Sequence, residues 1–139
     1  MAPEGSPSRQ LLAINPYFLV NDVFATAEHY LDVFGFLFDQ FWGEPPRFVM
    51  VMRDGLQIML RQPDVTVPGG IMRPNRSAIA FSFDAYVYVA DADALYAELQ
   101  SRGAKLLGEP CTQPHDCREF EVEDMNGYVL CFGQDLISQ

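Results

Sequence analysis

The sequence predicts an α+β fold in which a strand–helix–strand–strand–strand unit occurs twice. Two segments, 48–60 (FVMVMRDGLQIML) and 120–132 (FEVEDMNGYVLCF), each place an Asp-Gly or Asn-Gly pair between apolar runs, a pattern typical of β-hairpins. A Val-x-Asp step at 20–22 recurs at 89–91, and a segment with helical spacing of apolar residues follows each step. Because the order of these features is the same in both halves, they indicate an internal duplication.

The remaining elements follow from the same patterns. The segment before the first Val-x-Asp step (LLAINPYFLV) is strand-like, and a glycine ends each predicted helix, Gly35 in the first half and Gly103 in the second. FLFDQFW predicts another strand, as does AIAFSFDAYVYVAD, whereas KLLGEPCTQPHDC predicts a short strand followed by a proline-broken loop.

A chain of 139 residues favours one domain. Residues 1–10 are expected to form a flexible tail, and residues 11–139 to form the domain. Within it we predict module one at about 11–62, a linker at 63–77 and module two at about 78–135. The linker region is rich in proline and glycine and is a candidate lid over a binding site.

The charge and the cysteines exclude several kinds of partner and location. The formal net charge is −10, so the surface repels nucleic acid and anionic membranes. The N-terminus lacks the pattern of a secretory signal, and no apolar run approaches the ~20 residues of a membrane span. Three cysteines without CxxC spacing fit free thiols, which favours the cytoplasm.

Strand alternation predicts which side chains face a common side of each hairpin. A two-residue turn at Asp54-Gly55 places the methionine-rich set on one face and the branched aliphatic set on the other. The same rule, applied to a two-residue turn at Asn126-Gly127, places Phe120 and Val122 on the face of Cys131. It therefore predicts that Glu119, Glu121 and Glu123 lie on the opposite, solvated face.

Three stretches resemble the vicinal oxygen chelate superfamily, which includes glyoxalase I, extradiol dioxygenases and the bleomycin- and fosfomycin-resistance proteins. They are FLVNDVFATAEHYLDVFGF, YVYVADADALYAELQSRGAK and REFEVEDMNGYVLCFGQ, and the resemblance covers about residues 12–135. It implies two βαβββ modules whose curled, mostly antiparallel sheets surround a shared concave cavity, with the helices on the convex side.

The resemblance also assigns four metal-ligand positions, two per module. They fall on Asn15, Met59, Asp84 and Cys131, a set without histidine in which methionine is a poor donor for a hard cation. This departs from the pattern of the metal-using members. We therefore expect no metal, no other cofactor and no catalytic residues.

Without a metal, the concave face is expected to bind a small organic molecule. Strand parity predicts an aromatic and methionine-rich wall, which suits an aromatic or cationic ligand. The predicted ligand-binding residues are Asn15, Tyr17, Trp42, Phe48, Met50, Met59, Asp84, Tyr86, Tyr88, Phe120 and Cys131.

Two hypotheses about function remain open at this point. The first is a metal-free binding protein similar to the bleomycin-resistance branch, for which antibiotic resistance is one natural role. The second is a metal-dependent lyase, isomerase or dioxygenase of the glyoxalase type with atypical ligands. The resemblance further implies a homodimer in which the partner completes the cavity.

Overall fold

The structure, a computed structural model, describes residues 8–64 and 74–137. Module one contains β1 (Tyr17–Leu19), α1 (Val23–Phe34), β2 (Phe41–Trp42), β3 (Phe48–Arg53) and β4 (Leu56–Arg61). Module two contains β5 (Ala85–Tyr88), α2 (Ala92–Ser101), β6 (Lys105–Leu106), β7 (Cys111–Thr112), β8 (Cys117–Glu123) and β9 (Val129–Asp135). The predicted α+β fold with two βαβββ modules is confirmed, and β7 is an additional strand where the sequence predicted only a loop.

Part of the predicted linker and most of the predicted tail, residues 65–73 and 1–7, lie outside the described residues. The candidate lid falls mainly on the first of these segments. The linker's described end forms a short 3₁₀ turn, Asn75–Ser77.

Each module forms its own mixed sheet, and the strand order is the same in both. The first sheet has the order β1-β4-β3-β2 and the second β5-β9-β8-β6, with β7 paired to β8. The first strand of each module runs parallel to the last one, and the other pairs are antiparallel. The two sheets are separate and neither is closed.

The repeated Val-x-Asp step begins each helix. Asp22 caps α1 by accepting a 3.0 Å hydrogen bond from the Ala25 amide, and Asp91 caps α2 in the same way from Ala94. Such caps satisfy amides that a helix leaves without partners. The helix α1 ends where Gly35 adopts a left-handed conformation with φ of 75°.

The first hairpin has the predicted two-residue turn. Arg53 pairs with Leu56, while Asp54 and Gly55 have φ of 52° and 81°. Val49, Val51, Ile58 and Leu60 are buried in the core, while Leu56 at the start of β4 is half exposed, and the methionine-rich set lies on the opposite, concave face. Strand parity in module one is therefore as predicted.

The second hairpin has a longer loop than predicted, and its strands pair in a register shifted by one residue. The strands pair as far as Glu123 and Val129, so five residues, 124–128, form the connection. The Asp124 carboxylate organises this loop by accepting 2.8 and 3.0 Å hydrogen bonds from the amides of Asn126 and Tyr128. An Asp side chain that bonds backbone amides two and four residues ahead stabilises a longer turn than an Asn-Gly pair alone would form.

The longer loop shifts the register of β8 against β9 by one position and so exchanges its two faces. Phe120 pairs with Phe132 and Glu121 with Cys131. Phe120 is 3% exposed and belongs, with Val122, to the core beside α2. The predicted placement of Phe120 and Val122 on the concave face, opposite the glutamates, was therefore wrong.

A single core includes residues of both modules. Tyr30 of α1 donates a 2.7 Å hydrogen bond to Asp124, and Phe18 stacks on Tyr128 with ring centroids 4.2 Å apart. These contacts come from the helix-facing sides of the sheets and from a hairpin loop, so they leave the concave faces uncovered. Within the described residues, neither helix is long and apolar enough to cross a membrane.

Candidate functional site

The concave face of module one is aromatic and open. Tyr17 of β1 lies beside Phe48 of β3, with ring centroids 6.2 Å apart, and Tyr17 is 52% exposed. Met59 pairs with Tyr17 in the parallel register and with Met50 in the antiparallel one. These side chains form an adaptable, largely apolar surface, and none of them is charged at neutral pH.

The concave face of module two combines aromatic rings with carboxylates. Tyr86 of β5 pairs with Cys131 of β9, which in turn pairs with Glu121 of β8. By alternation, Glu119 and Tyr88 lie on this same face. The two halves of the duplicated fold therefore present different chemistry on equivalent surfaces.

Tyr86 crosses the sheet to reach Glu119. Its hydroxyl donates a 2.7 Å hydrogen bond to Glu119 Oε2. The ring passes over Gly133, where an added Cβ would lie 2.8 Å from Tyr86 Cε1 and would overlap the phenol oxygen. Burial, together with the bonded Glu119, raises the pKa of Tyr86, so the phenol stays protonated and remains a donor.

Glu119 also lies against the Cys131 thiol and a histidine. Burial, followed by the nearby charge of Glu119, raises the pKa of Cys131 to about 12. The Cys131 thiol is therefore neutral at physiological pH and has little nucleophilic character. His115 Nε2 lies 3.1 Å from Glu119 Oε2.

The three glutamates of β8 differ in their partners. Glu123 pairs with Lys105, and Glu121 pairs with Arg76 at 2.9 Å. Among the described residues, the charged partner of Glu119 is His115, which carries charge only when protonated. Glu119 is thus the carboxylate of the row that has no permanently charged partner within the described chain.

A cavity of about 340 Å³ adjoins this row. Phe81 and Phe83 line it from the segment before β5, and Glu119 and Glu121 line it from β8. The Phe83 ring lies 5.6 Å from the Tyr86 ring, which lies 5.0 Å from that of Tyr88. Aromatic faces beside carboxylates are a chemically suitable surface for an organic cation.

The Asp84 carboxylate has a structural role, because both of its oxygens accept hydrogen bonds from backbone amides. Its Oδ1 accepts a 2.8 Å hydrogen bond from the Asn75 amide, and its Oδ2 accepts one of 2.8 Å from the Val129 amide. These bonds hold the 3₁₀ turn and the start of β9 together. Because both oxygens are used, Asp84 is a poor candidate for pairing with a ligand cation.

The four positions that the resemblance assigns to metal ligands do not fit a divalent metal. Asp84 uses both oxygens internally, Cys131 keeps its proton, and Met59 offers only a thioether. The Asn15 amide donates a 3.3 Å hydrogen bond to Gln57. In residues 8–64 and 74–137, no three His, Cys, Asp or Glu side chains converge as a metal site requires.

The structure places most of the predicted binding residues on the two concave faces, and their role in binding stays a prediction. Trp42 lies at the edge of the first sheet and is half exposed. Phe120 belongs to the core and also lines the cavity of about 340 Å³ beside Glu119. Glu119, Glu121 and Arg76 were missed, and the Asp-x-x-Gly spacing at 124–127 is the signal that could have revealed the longer loop.

The comparisons with known proteins agree with this fold. Residues 13–132 match the family model described as Glyoxalase/Bleomycin resistance protein/Dioxygenase superfamily. No curated protein sequence matches the chain significantly.

Solved structures with the same fold come from several functional groups. A bleomycin-binding protein from bleomycin-producing Streptomyces verticillus, complexed with copper(II)-bleomycin, is 22% identical with a TM-score of 0.65, covering 89% of this chain and 96% of that one. A glyoxylase/bleomycin resistance protein/dioxygenase domain from Frankia sp. EAN1pec is 17% identical with a TM-score of 0.71, covering 94% and 96%. A lactoylglutathione lyase from Agrobacterium tumefaciens is 17% identical with a TM-score of 0.64, covering 96% and 98%.

At these identities the structures show a shared fold, while the family model spans most of the chain. Two duplicated modules with the same strand order, matched by that model, identify the chain as a member of the glyoxalase/bleomycin resistance protein/dioxygenase superfamily.

Proposed function

We propose that the protein is a metal-free binding protein that holds an aromatic or cationic organic molecule on the concave face of module two. The observation that carries this proposal is the Glu119 carboxylate, fixed by the Tyr86 hydroxyl at 2.7 Å among aromatic rings. A fixed carboxylate with no permanent cationic partner among residues 8–64 and 74–137 attracts a cation, and the rings add a cation–π surface.

The size and composition of the neighbouring cavity support a small ligand. Its volume of about 340 Å³ lies within the usual range for ligand pockets. Phe81 and Phe83 provide apolar walls for a flat ring, and Glu119 provides the charge. The net charge of −10 would also steer a cation toward the protein and away from anions.

The comparisons are compatible with binding and with catalysis, since one similar structure contains copper(II)-bleomycin and another is a lyase. The side chains favour binding. The metal-dependent alternative needs donors that Met59, Asp84 and the protonated Cys131 supply poorly.

We also propose that the protein acts as a homodimer in the cytoplasm. Tyr17 and Tyr88 lie on the concave faces and are 52% and 70% exposed in the single chain. Large aromatic side chains left open on both sheets are typical of surfaces that a partner or ligand covers. Light scattering coupled to gel filtration tests this, and a monomer at micromolar concentration would contradict it.

The binding proposal is tested with a flat aromatic cation such as proflavine, titrated by calorimetry and by thermal shift. Glu119→Gln keeps the shape of the side chain and removes its charge, so we expect at least a tenfold weaker affinity. Glu28→Gln, on the exposed side of α1, makes the same change in net charge and serves as the control.

Two outcomes would contradict the proposal. If Glu119→Gln and Glu28→Gln bind proflavine equally well, Glu119 does not hold the cation. If the purified protein carries stoichiometric zinc, nickel, manganese or iron that supports turnover, the metal-dependent alternative is correct.

A further inference from the structure

The duplication creates two equivalent junctions between the modules, which can be compared directly. In the α1 junction, α1 packs against the loop 124–128. In the α2 junction, Glu98 of α2 forms an ion pair with Arg53 beside the turn 53–56. Since the same fold builds both, a difference between them reflects the side chains that each one contains.

Aromatic rings fill the α1 junction. Phe18 and Tyr128 stack with centroids 4.2 Å apart and an interplanar angle of 8°. The Tyr128 hydroxyl donates a 2.8 Å hydrogen bond to the Leu19 carbonyl, and Tyr128 is only 8% exposed. The stacked pair therefore closes this junction.

Smaller residues occupy the same two positions in the α2 junction. Leu56 follows its hairpin glycine as Tyr128 does, and it is 51% exposed. Val87 pairs with Phe132 as Phe18 pairs with Leu60, which makes Val87 the equivalent of Phe18. The stacked aromatic pair is thus replaced by a leucine and a valine.

A cleft of about 630 Å³ lies where the aromatic pair is missing. Its walls are apolar and come from both modules: Phe34, Phe36, Val87, Leu95, Leu99 and Phe132. This volume falls within the range for small-molecule sites. The cleft shares no described lining residue with the cavity beside Glu119, so the two sites are separate.

Acidic groups dominate the charged part of the cleft. Among the described residues that line it, Asp54, Asp91 and Glu98 outnumber the one cation, Arg53, while Arg102 pairs with Glu98 at 2.9 Å from outside the lining. Arg53 is already engaged, with two hydrogen bonds of 2.7 and 2.8 Å to Glu98 and one of 2.8 Å to the Phe34 carbonyl. Its Nε also lies 3.5 Å from the exposed Asp54 carboxylate, so Asp91 is the lining carboxylate that Arg53 does not contact. An anion would meet a net negative lining, whereas a positively charged group would be attracted to it.

We propose that the α2 junction is a second binding site, and that its ligand is a small aromatic amine. The flat ring occupies the space that Phe18 and Tyr128 fill in the α1 junction. The protonated amine lies toward Asp54 and Asp91. This site does not depend on the function proposed for the concave face.

Two probes with the same ring test the chemical class. Tryptamine carries an amine and indole-3-propionate carries a carboxylate, and their binding is measured by calorimetry and by protein-observed NMR. We expect tryptamine to bind at least tenfold more tightly than indole-3-propionate. The NMR chemical shifts that change on binding should belong to residues of α2 and of the turn 53–56. Absence of tryptamine binding, or shifts only at the concave faces, would overturn the proposal.

A variant that restores the aromatic pair tests the location. Val87→Phe with Leu56→Tyr copies the α1 junction, so we expect tryptamine affinity to fall at least tenfold while proflavine affinity is unchanged. Leu56→Tyr alone changes a half-exposed position that tolerates a larger side chain, and it should weaken tryptamine in the same direction. Unchanged tryptamine affinity in Leu56→Tyr would overturn the location.

The charge of the lining is tested with conservative variants. Asn at position 91 still caps a helix, and Asn at position 54 tolerates the positive φ found there. We expect Asp54→Asn with Asp91→Asn to weaken tryptamine at least threefold and to leave uncharged indole unaffected. Glu119→Gln should leave tryptamine binding at this site unchanged, and a loss there would assign the amine to the concave face instead.

Discussion

Tyr30 and Asp124, which are 94 positions apart in the sequence, share a buried 2.7 Å hydrogen bond that joins the two modules. The same carboxylate accepts hydrogen bonds from the backbone amides of Asn126 and Tyr128. One side chain therefore connects the modules and also sets the length of the loop that determines the register of β8.

Replacing Asp124 should show both roles. Asp124→Asn retains an oxygen for the two loop amides, and we expect it to lower the free energy of unfolding by about 1 kcal/mol. Asp124→Ala leaves the Tyr30 hydroxyl and the two amides without their partner, and we expect a loss of about 3 kcal/mol. Urea unfolding measures both values, and equal stability of the two variants would show that the hydrogen bonds contribute little.

Gly133→Ala should displace Tyr86. An added Cβ would meet the Tyr86 ring and break its bond to Glu119. We expect a loss of about 2 kcal/mol in the free energy of unfolding, as for other overpacked sites. In a Tyr86→Ala background the ring is gone, so the same glycine substitution should cost much less. A cost independent of residue 86 would rule out this steric cause.

His29 should make the stability depend on pH. Its Nε2 accepts a 3.1 Å hydrogen bond from the Met125 amide, and burial lowers the pKa of His29 below its ordinary value of 6.5. The unfolded chain therefore binds this proton more readily than the folded one. The contribution of neutral His29 to the free energy of unfolding is complete above pH 6.5, and it is lost as the pH falls through the lowered pKa of His29.

Chemical denaturation at a series of pH values checks this expectation. The free energy of unfolding of the wild type should fall as the pH drops below 6.5, and His29→Gln should remove that part of the slope. His115→Gln, which changes an exposed histidine, is the matched control. The idea fails if His115→Gln flattens the profile and His29→Gln does not.

The three cysteines should differ in reactivity. Cys111 is exposed, whereas Cys117 and Cys131 are buried, and the pKa of Cys131 is raised to about 12. Because the thiolate is the reactive form, an alkylating reagent should label Cys111 rapidly in the native protein. Mass spectrometry should find one label per chain before unfolding and three after it. Rapid native labelling of Cys131 would contradict the burial and the charge described for this face.

The order of the elements could be predicted from the sequence because local signals determine it. A helix begins directly after Asp22 and after Asp91, as the repeated step predicts, and Asp54-Gly55 forms the predicted two-residue turn. These features depend on residues within one turn of the chain. Because the fold is duplicated, the order of elements predicted for one module also predicted the order in the other.

The candidate site could be predicted only in part, because a long-range contact decides it. Asn126-Gly127 resembles Asp54-Gly55 in sequence, yet the bond from Tyr30 and the buried Asp124 favour a five-residue loop. No local pattern shows that the carboxylate is buried. The Asp-x-x-Gly spacing at 124–127 indicates a longer loop, but that spacing alone does not predict the pairing of Tyr86 with Glu119 across Gly133, which depends on the long-range register.

Loop 124–128 has a consequence for how this lineage can change. Surface connections commonly gain or lose residues without harm. Here, deletion of one residue would shift the register of β8 against β9 by one position. That shift would bury Glu119 and Glu121 in the apolar core and expose Phe120 to solvent. Homologous proteins should therefore conserve the length of this loop while its residues vary. A change in loop length should occur only together with an exchange of the apolar and polar positions of β8.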